Sequence, residues 1–259
     1  LDNSPLRLLL NQVLDFHRID RNIVSGHLTA LAVTGSSYTT GHSVSFYQAG
    51  HQFEPWNRAK RDGVRAIINT EHLMASAAIP LVFPPVNIAG HHYGDGSVHQ
   101  LSPLSPVIHL NAEKVLVIGV DVTDKPTRFS GSPNSASIAG HLLDTIFADT
   151  LNTDLERLHR VNHTISLLPE KARRQTQLRP LHTLVINPSH SFDDIAMKYY
   201  QEMPRAIRWL LKFAGVREGS TSSLVSYLLF EKNYCSELVD LGFKDGMDNK
   251  ESLKTFLEI

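Results

Sequence analysis

Apolar residues near the start of the chain recur at the spacing of an α-helix. Serine is a favoured N-cap residue and proline a favoured first helical residue, and Ser4 is followed by Pro5. The apolar residues that then share one face are Leu6, Leu9, Leu10, Val13 and Leu14. This pattern predicts an amphipathic helix that begins after Ser4.

Two segments of strand-like sequence follow, on either side of a polar turn. They are HLTALAVT at His27–Thr34 and SVSFY at Ser43–Tyr47, with Gly41 in the turn between them. β-Branched and aromatic residues that alternate with polar ones favour strands, so we expect a strand pair.

A short helix and a strand are predicted next. Glu71–Ala78 is rich in small residues, follows Thr70 as its expected cap, and must end before Pro80. Val86–Tyr93 has the pattern of a single strand that leads into a sharp turn at residues 94–96.

The second half of the chain adds strands to a largely helical pattern. KVLVIGV at Lys114–Val120 is continuously apolar, which is typical of a parallel strand buried on both faces. Thr183–Asn187 predicts one more strand, and Ala136–Arg160 and Ile195–Phe213 predict long helices. We therefore expect an α/β fold, with one region at residues 1–125 and a mostly helical extension at residues 126–259.

Composition narrows the classes of function. The chain has 259 residues, with 25 Lys and Arg against 26 Asp and Glu, so overall charge does not favour nucleic acid as a partner. Its single cysteine, Cys235, cannot form an internal disulfide, and no zinc motif is present. The apolar stretch Leu73–Gly90 contains three prolines and does not predict a membrane span. We expect no cofactor or metal, and a cytoplasmic or peripheral-membrane location.

Asp95 is the most informative candidate residue. It lies between Gly94 and Gly96 at the end of the predicted strand, where glycine permits positive φ and leaves the carboxylate uncrowded. Such a carboxylate can act as a base. The alternative is an ordinary Asp-Gly hairpin turn with no chemical role.

The residues around Asp95 resemble the patatin-like phospholipase family. The resemblance rests on ASAAIPLVFPPV, a strand, a Tyr-x-Asp-Gly turn, a proline and VLVIGV, and it extends back through SPLRLLLNQVLDFHRID. It covers residues 1–125, and the rest is similar, more loosely, to the C-terminal extension of bacterial members. The resemblance implies a three-layer α/β/α sandwich and a Ser-Asp dyad that hydrolyses acyl esters of lipids. Asp95 would be the dyad aspartate, supported by Gly94, Gly96 and Ser97.

The sequence departs from the family pattern at several points. Ser97 replaces the second glycine of the turn, and Leu101 replaces an asparagine. No Gly-x-Ser-x-Gly pentapeptide or glycine-rich oxyanion loop is found. In the family both precede the segment that matches Ser4–Asp15, so the resemblance implies a chain that starts after them, with the serine upstream of Leu1.

Serines within the chain offer an alternative nucleophile. The candidates are Ser36, Ser37 and Ser76, but none follows the strand-glycine-helix pattern of a nucleophile elbow. Histidines near Asp95 are not required by a dyad, and His91 and His92 would point to opposite faces of a strand.

Two segments are rich in cations. Arg58, Lys60, Arg61 and Arg65 follow Trp56, and the second segment carries Lys171, Arg173, Arg174 and Arg179. The first set suits contact with a lipid headgroup or an anionic membrane surface. The alternative is a solvated helix face.

Three functions remain open from the sequence. The first is a lipid acyl hydrolase whose substrate is a lipid or another acyl ester, with the 259 residues inactive on their own. The second is a lipid-binding or regulatory module without catalysis, and the third is an acyltransferase of related architecture.

Overall fold

The computed structural model describes residues 1–80, 82–100, 102–120, 122, 150–176, 178–213 and 223–259. These residues form a mixed α/β structure, which confirms the predicted fold class. Their helices are α1 Ser4–Val13, α2 His17–Val24, α3 Thr70–Ser76, α4 Ser105–His109, α5 Thr150–Leu167, α6 Glu170–Gln175, α7 Phe192–Lys198, α8 Arg205–Phe213, α9 Ser223–Leu228, α10 Lys232–Asp248 and α11 Lys250–Leu257. Their strands are β1 Ala30–Ser37, β2 Ser43–Ala49, β3 Trp56–Arg58, β4 Arg61–Arg65, β5 Val86–Ile88, β6 His91–Asp95, β7 Lys114–Ile118 and β8 His182–Ile186.

The chain divides into two compact units. Unit 1 comprises Leu1–Ala112 and Asp149–Pro180, and unit 2 comprises Glu113–Ala148 and Leu181–Ile259. The predicted boundary between residues 125 and 126 lies outside the described residues and stays a prediction.

Unit 1 contains a six-stranded sheet in the order β3-β4-β2-β1-β6-β5. The β2–β4 pair is parallel and the other pairs are antiparallel. β1 and β2 pair from Ala30 opposite Ala49 to Ser36 opposite Ser43, which confirms the predicted strand pair. β6 joins β1 through its last three residues, and this pairing carries Asp95 into the sheet.

The hydrophobic core of unit 1 lies between the sheet and α3. Its buried residues are Val44, Phe46, Ile68, Met74, Ala75, Val86 and Tyr93. The predicted first helix is confirmed as α1, but its N-cap is Asn3 and not Ser4. Of its predicted apolar face only Leu10 packs against the core, whereas Leu9 and Val13 are exposed.

The cap of α3 also differs from the prediction. Asn69 and not Thr70 is the N-cap, and its side chain accepts the backbone N–H of Glu71 at 3.0 Å. The ring of His72 accepts the backbone N–H of Asn69 at 3.2 Å and completes a capping box. Histidine is an unusual member of this motif, which is why the sequence pattern did not reveal it.

The predicted single strand at Val86–Tyr93 is wrong. The segment is a hairpin of β5 and β6, and the chain reverses at Ala89 and Gly90, with φ of 51° and 85°. The Asn87 side chain accepts the Gly90 N–H at 3.1 Å and stabilises this reversal. Asp95 therefore ends β6, and Gly96–Val98 forms a 3₁₀ turn after it.

Unit 2 contains the parallel pair β7 and β8, which confirms a parallel strand at Lys114 and the later strand near Thr183. Burial of β7 on both faces is wrong, since Val115 is buried but Ile118 is 77% exposed. The predicted helix Ile195–Phe213 is two helices, α7 and α8, separated by a 3₁₀ turn and Pro204. Of the predicted helix Ala136–Arg160, the described part from Thr150 is helical and the remainder lies outside the described residues.

Candidate functional site

Asp95 is fixed at the end of β6 by both backbone and side-chain contacts. Its N–H donates to the Ala78 carbonyl at 3.0 Å, directly after α3. Its Oδ1 accepts the Ser97 N–H at 3.0 Å and the Ser97 hydroxyl at 2.5 Å. Among the described residues no hydrogen bond reaches Oδ2, and the side chain is half-buried. The carboxylate thus has one oxygen held by the turn and one available to a further group.

The glycines beside Asp95 are needed for close packing. The positive-φ glycines in the described chain are Gly26, Gly41 and Gly90, so the expected positive φ at Gly94 and Gly96 is wrong. A Cβ on Gly96 would lie 2.5 Å from the Thr34 carbonyl oxygen, and a Cβ on Gly94 would overlap the Tyr38 hydroxyl. Both positions require glycine because β1 and its turn lie directly against them.

Tyr38 is a neighbour of Asp95 that the sequence did not indicate. Its side chain lies over Gly94, and burial followed by the Asp95 charge raises the pKa of its phenol. Tyr38 follows β1 in the turn before Gly41, and its backbone N–H donates to the His92 carbonyl at 2.9 Å. The phenol therefore stays protonated near neutral pH and can donate a hydrogen bond close to Asp95.

Two of the three serine candidates, Ser36 and Ser37, have hydroxyls bonded to backbone groups. Ser36 is fully buried, donates to the Gly96 carbonyl at 3.1 Å and accepts the His99 N–H at 3.0 Å. Ser37 is 1% exposed, and its hydroxyl accepts the Thr40 N–H at 3.1 Å. Ser76 is half-buried near the end of α3. Because Ser36 and Ser37 are buried and bonded to backbone, neither can reach an ester carbonyl.

The histidines near Asp95 have different environments. His91 and His92 are exposed on β6. His99 has a buried Nδ1 without a hydrogen-bond partner, and burial, followed by the charges of Lys60 and His42, lowers the pKa of its ring. His42 Nδ1 donates to one carboxylate oxygen of Asp62 at 2.8 Å, and Asn57 donates to the other oxygen at 2.8 Å.

The first basic segment is a β-hairpin. β3 and β4 pair antiparallel, and Lys60 takes a φ of 57° in the turn. The helix-face alternative is therefore wrong. Arg58 and Lys60 are exposed, whereas Arg61 is half-buried. Asp62, the acidic residue of the hairpin, is already bonded to His42 and Asn57.

Arg65 has a structural environment that separates it from the other three cations. Its guanidinium donates to the carbonyls of Ala49, at 2.7 Å, Gly50, at 3.2 Å, and Phe53. It also lies 5.4 Å from the centre of the Tyr47 ring. Arg65 therefore holds the loop after β2, and its contact with a headgroup stays an untested prediction.

The second basic segment is bonded largely within unit 1. Arg173 donates to the carbonyls of Ser166 and Leu168 at the end of α5. Arg174 pairs with Glu170, and Arg179 donates to the carbonyls of Ile108 and Ala112 after α4. Arg173 and Arg179 therefore stabilise helix ends.

Comparison of the sequence with protein-family models and with curated proteins gave no match in either case. No helix in the described part of the chain is long and apolar enough to cross a membrane. Within the same residues, no group of three or more histidine, cysteine, aspartate or glutamate side chains is placed to hold a metal ion. Leu101, the second departure from the family pattern, lies outside the described residues.

Proposed function

We propose that this chain is the aspartate-bearing part of a patatin-like lipid acyl hydrolase, in which Asp95 forms a dyad with a serine upstream of residue 1. The observation that carries the proposal is the Asp95 carboxylate, which has Oδ1 bonded twice to Ser97 and Oδ2 open to a further donor. A serine hydroxyl is such a donor. The resemblance of residues 1–125 to the family implies the serine nucleophile and the class of reaction.

The proposed chemistry uses no histidine. Asp95 accepts the proton of the serine as its oxygen attacks the ester carbonyl of a lipid, and a glycine-rich loop stabilises the resulting oxyanion. The ester C–O bond then breaks, and Asp95 returns the proton to the alcohol that leaves. Water, deprotonated by Asp95, attacks the acyl-serine ester and releases the acyl group as the acid, and the proton returns to the serine oxygen. Tyr38, whose phenol stays protonated beside Asp95, is available to donate a hydrogen bond to the carboxylate or the substrate.

The fold we propose is the three-layer α/β/α sandwich of the family. Support comes from the mixed sheet with α3 packed on one face, and from the placement of Asp95 at a strand end beside α3. Arg58, Lys60 and Arg61 would contact the anionic surface on which the lipid is presented, as exposed or half-buried cations of one hairpin.

The test is turnover by the full-length protein on a short-chain nitrophenyl ester. We expect Asp95→Asn to lower kcat by two or more orders of magnitude, because asparagine keeps the turn but cannot accept the proton. Asp62→Asn is the matched control, since this carboxylate lies on the same sheet and bonds to His42 and Asn57. It should retain most of the activity.

Two outcomes would reject the hydrolase. Near-normal turnover in Asp95→Asn would show that Asp95 is only a turn residue. The absence of any serine that reacts with a fluorophosphonate in the full-length protein would favour the non-catalytic lipid-binding or regulatory module. Acyl transfer to an added alcohol in preference to water would favour the acyltransferase.

A further inference from the structure

The turn that follows β6 is held at both of its ends by one side chain of β1. Ser36 donates its hydroxyl to the Gly96 carbonyl at 3.1 Å, and the same hydroxyl oxygen accepts the backbone N–H of His99 at 3.0 Å. Gly96 opens the 3₁₀ turn Gly96–Val98, and His99 is the residue directly after it. A single hydroxyl therefore closes this turn from a strand that lies 60 residues earlier in the chain.

The two bonds of Ser36 are made inside the fold. Ser36 is 0% exposed, and Gly96 is also buried. A buried polar group that loses its partner costs more free energy than the net gain of an ordinary hydrogen bond. Removing the hydroxyl of Ser36 leaves the Gly96 carbonyl and the His99 N–H without this partner, so the turn should open more easily.

The turn that Ser36 closes is the one that holds the Asp95 carboxylate. Ser97, inside the turn, donates its N–H and its hydroxyl to Oδ1 of Asp95 at 3.0 and 2.5 Å. The backbone of Asp95 is held separately, by the Ala78 carbonyl and by pairing with Gly35 of β1. The position of the carboxylate therefore depends on Ser97, and the position of Ser97 depends on the turn.

The next residue of β1 is a serine with different contacts. Ser37 is 1% exposed, and its hydroxyl accepts the Thr40 N–H at 3.1 Å in the turn between β1 and β2. Within the described part of the chain, the Ser37 hydroxyl makes no bond to the turn after β6. Two adjacent serines of equal burial thus hold two different turns, and only Ser36 holds the turn of Asp95.

We propose that Ser36 is a positioning residue for Asp95, which acts by holding the turn in which Ser97 fixes the carboxylate. Its effect on turnover rests on the proposed hydrolase, whereas its effect on the turn does not. A general base must lie within hydrogen-bond distance of the proton that it accepts. A displacement of about 1 Å can lower a catalysed rate about a hundredfold, so a loosened turn should slow the reaction.

Amide hydrogen exchange of the 259-residue chain, resolved by residue with NMR, tests the effect on the turn. In Ser36→Ala, we expect the N–H groups of Ser97 and His99 to exchange about fivefold faster relative to the amides of β2, because local opening becomes easier. Ser37→Ala is the matched control. It should accelerate exchange at Thr40 and leave the relative rates at Ser97 and His99 unchanged.

Turnover by the full-length protein tests the effect on Asp95. We expect Ser36→Ala to lower kcat about tenfold and to change KM less than about twofold, because the carboxylate is displaced while the contacts that bind substrate are kept. Ser37→Ala should keep kcat within about twofold of the wild type. A general loss of stability would affect both variants alike, and circular dichroism checks that each is folded.

The positioning role and the proposed hydrolase fail in different ways. Normal kcat in Asp95→Asn rejects the hydrolase, and the exchange rates still decide whether Ser36 holds the turn. The positioning role is overturned if Asp95→Asn loses activity while Ser36→Ala keeps its kcat, or if exchange at Ser97 and His99 is unchanged in Ser36→Ala. If Ser36→Ala is not folded, Ser36→Cys decides, since a thiol forms only weak hydrogen bonds. Exchange at His99 as slow as in the wild type would then overturn the role.

Discussion

Ser97 donates both its backbone N–H and its hydroxyl to the same oxygen of Asp95, at 3.0 and 2.5 Å. A glycine at this position would offer only the N–H. The serine therefore adds a second donor to the turn and fixes the carboxylate more firmly than glycine would. Within the described part of the chain, no hydrogen bond reaches the other carboxylate oxygen.

Removing the Ser97 hydroxyl should weaken the turn. We expect Ser97→Ala to lower the free energy of unfolding by about 1 kcal/mol, the usual net contribution of one such hydrogen bond. Urea denaturation of the 259 residues measures it. Ser97→Thr keeps the hydroxyl and serves as the control, and equal stability of the alanine variant and the wild type would contradict the prediction.

Gly96 should not tolerate a side chain. An alanine Cβ would lie 2.5 Å from the Thr34 carbonyl oxygen, on the backbone of a paired strand, so β1 or the turn must move. We expect Gly96→Ala to lower the free energy of unfolding by about 1–3 kcal/mol, as overpacking generally does.

Gly242 provides the contrast to Gly96. It lies inside α10, and an alanine Cβ there meets nothing within 4 Å. Gly242→Ala should raise stability by about 0.5–1 kcal/mol, because alanine is the better helix former. Thermal melts compare the stability of both variants with that of the wild type. A stabilised Gly96→Ala would show that the backbone at Thr34 can move to accommodate the Cβ.

Arg65 and Arg58 should differ in their effect on stability despite their proximity in sequence. Arg65 holds the carbonyls of Ala49, Gly50 and Phe53, whereas Arg58 bonds only to the Asn57 carbonyl. We expect Arg65→Gln to destabilise the protein by about 2 kcal/mol, and Arg58→Gln by less than about 0.5 kcal/mol. Equal urea midpoints for the two variants would mean that the bonds of Arg65 contribute nothing measurable.

Stability should fall as the pH drops below about 6.5, the ordinary pKa of histidine. Burial lowers the pKa of His72, His99 and His109 in the folded protein. The unfolded chain therefore binds protons first as the pH falls, which favours unfolding, and the effect is absent above the pKa of the unfolded state.

His72→Gln should reduce this pH dependence. Glutamine can still accept the Asn69 N–H in a capping box but does not titrate. The loss of stability between pH 7.5 and pH 5 should become smaller than in the wild type, as measured by urea denaturation at each pH. His92→Gln replaces an exposed histidine as the control. If the stability of His72→Gln depended on pH as the wild type does, His72 would not contribute to the pH dependence.

The parts of the fold that sequence predicted are those with a regular pattern. The β1–β2 pair follows from alternating residues on both sides of Gly41, and β7 and β8 follow from short apolar runs. The hairpin at Ala89 and Gly90 was missed because its reversal depends on the Asn87 side chain and on a positive φ at Ala89. Alanine rarely adopts a positive φ, so the residue pattern does not predict a turn there.

The candidate site was likewise predicted only in part from the sequence. Asp95 could be found from its flanking glycines, but the reason for the glycines is the carbonyl of Thr34 and the ring of Tyr38, which lie more than fifty residues earlier. The roles of Arg65 and Arg61 could not be separated by sequence either. One is bonded to backbone carbonyls and the other borders a cavity, and both contacts depend on residues distant in the chain.

Asp154 reaches Ser102 and Leu104 across about fifty residues of chain, and the segment between them belongs largely to unit 2. During synthesis, the earlier part of unit 1 therefore emerges well before the helix that supplies its buried acceptor. A nascent chain of which only the part before α5 has emerged from the ribosome lacks the Asp154 partner of the Leu104 N–H and of the Ser102 hydroxyl. We expect the ribosome-bound intermediate to remain open to proteolysis at this segment until α5 has emerged.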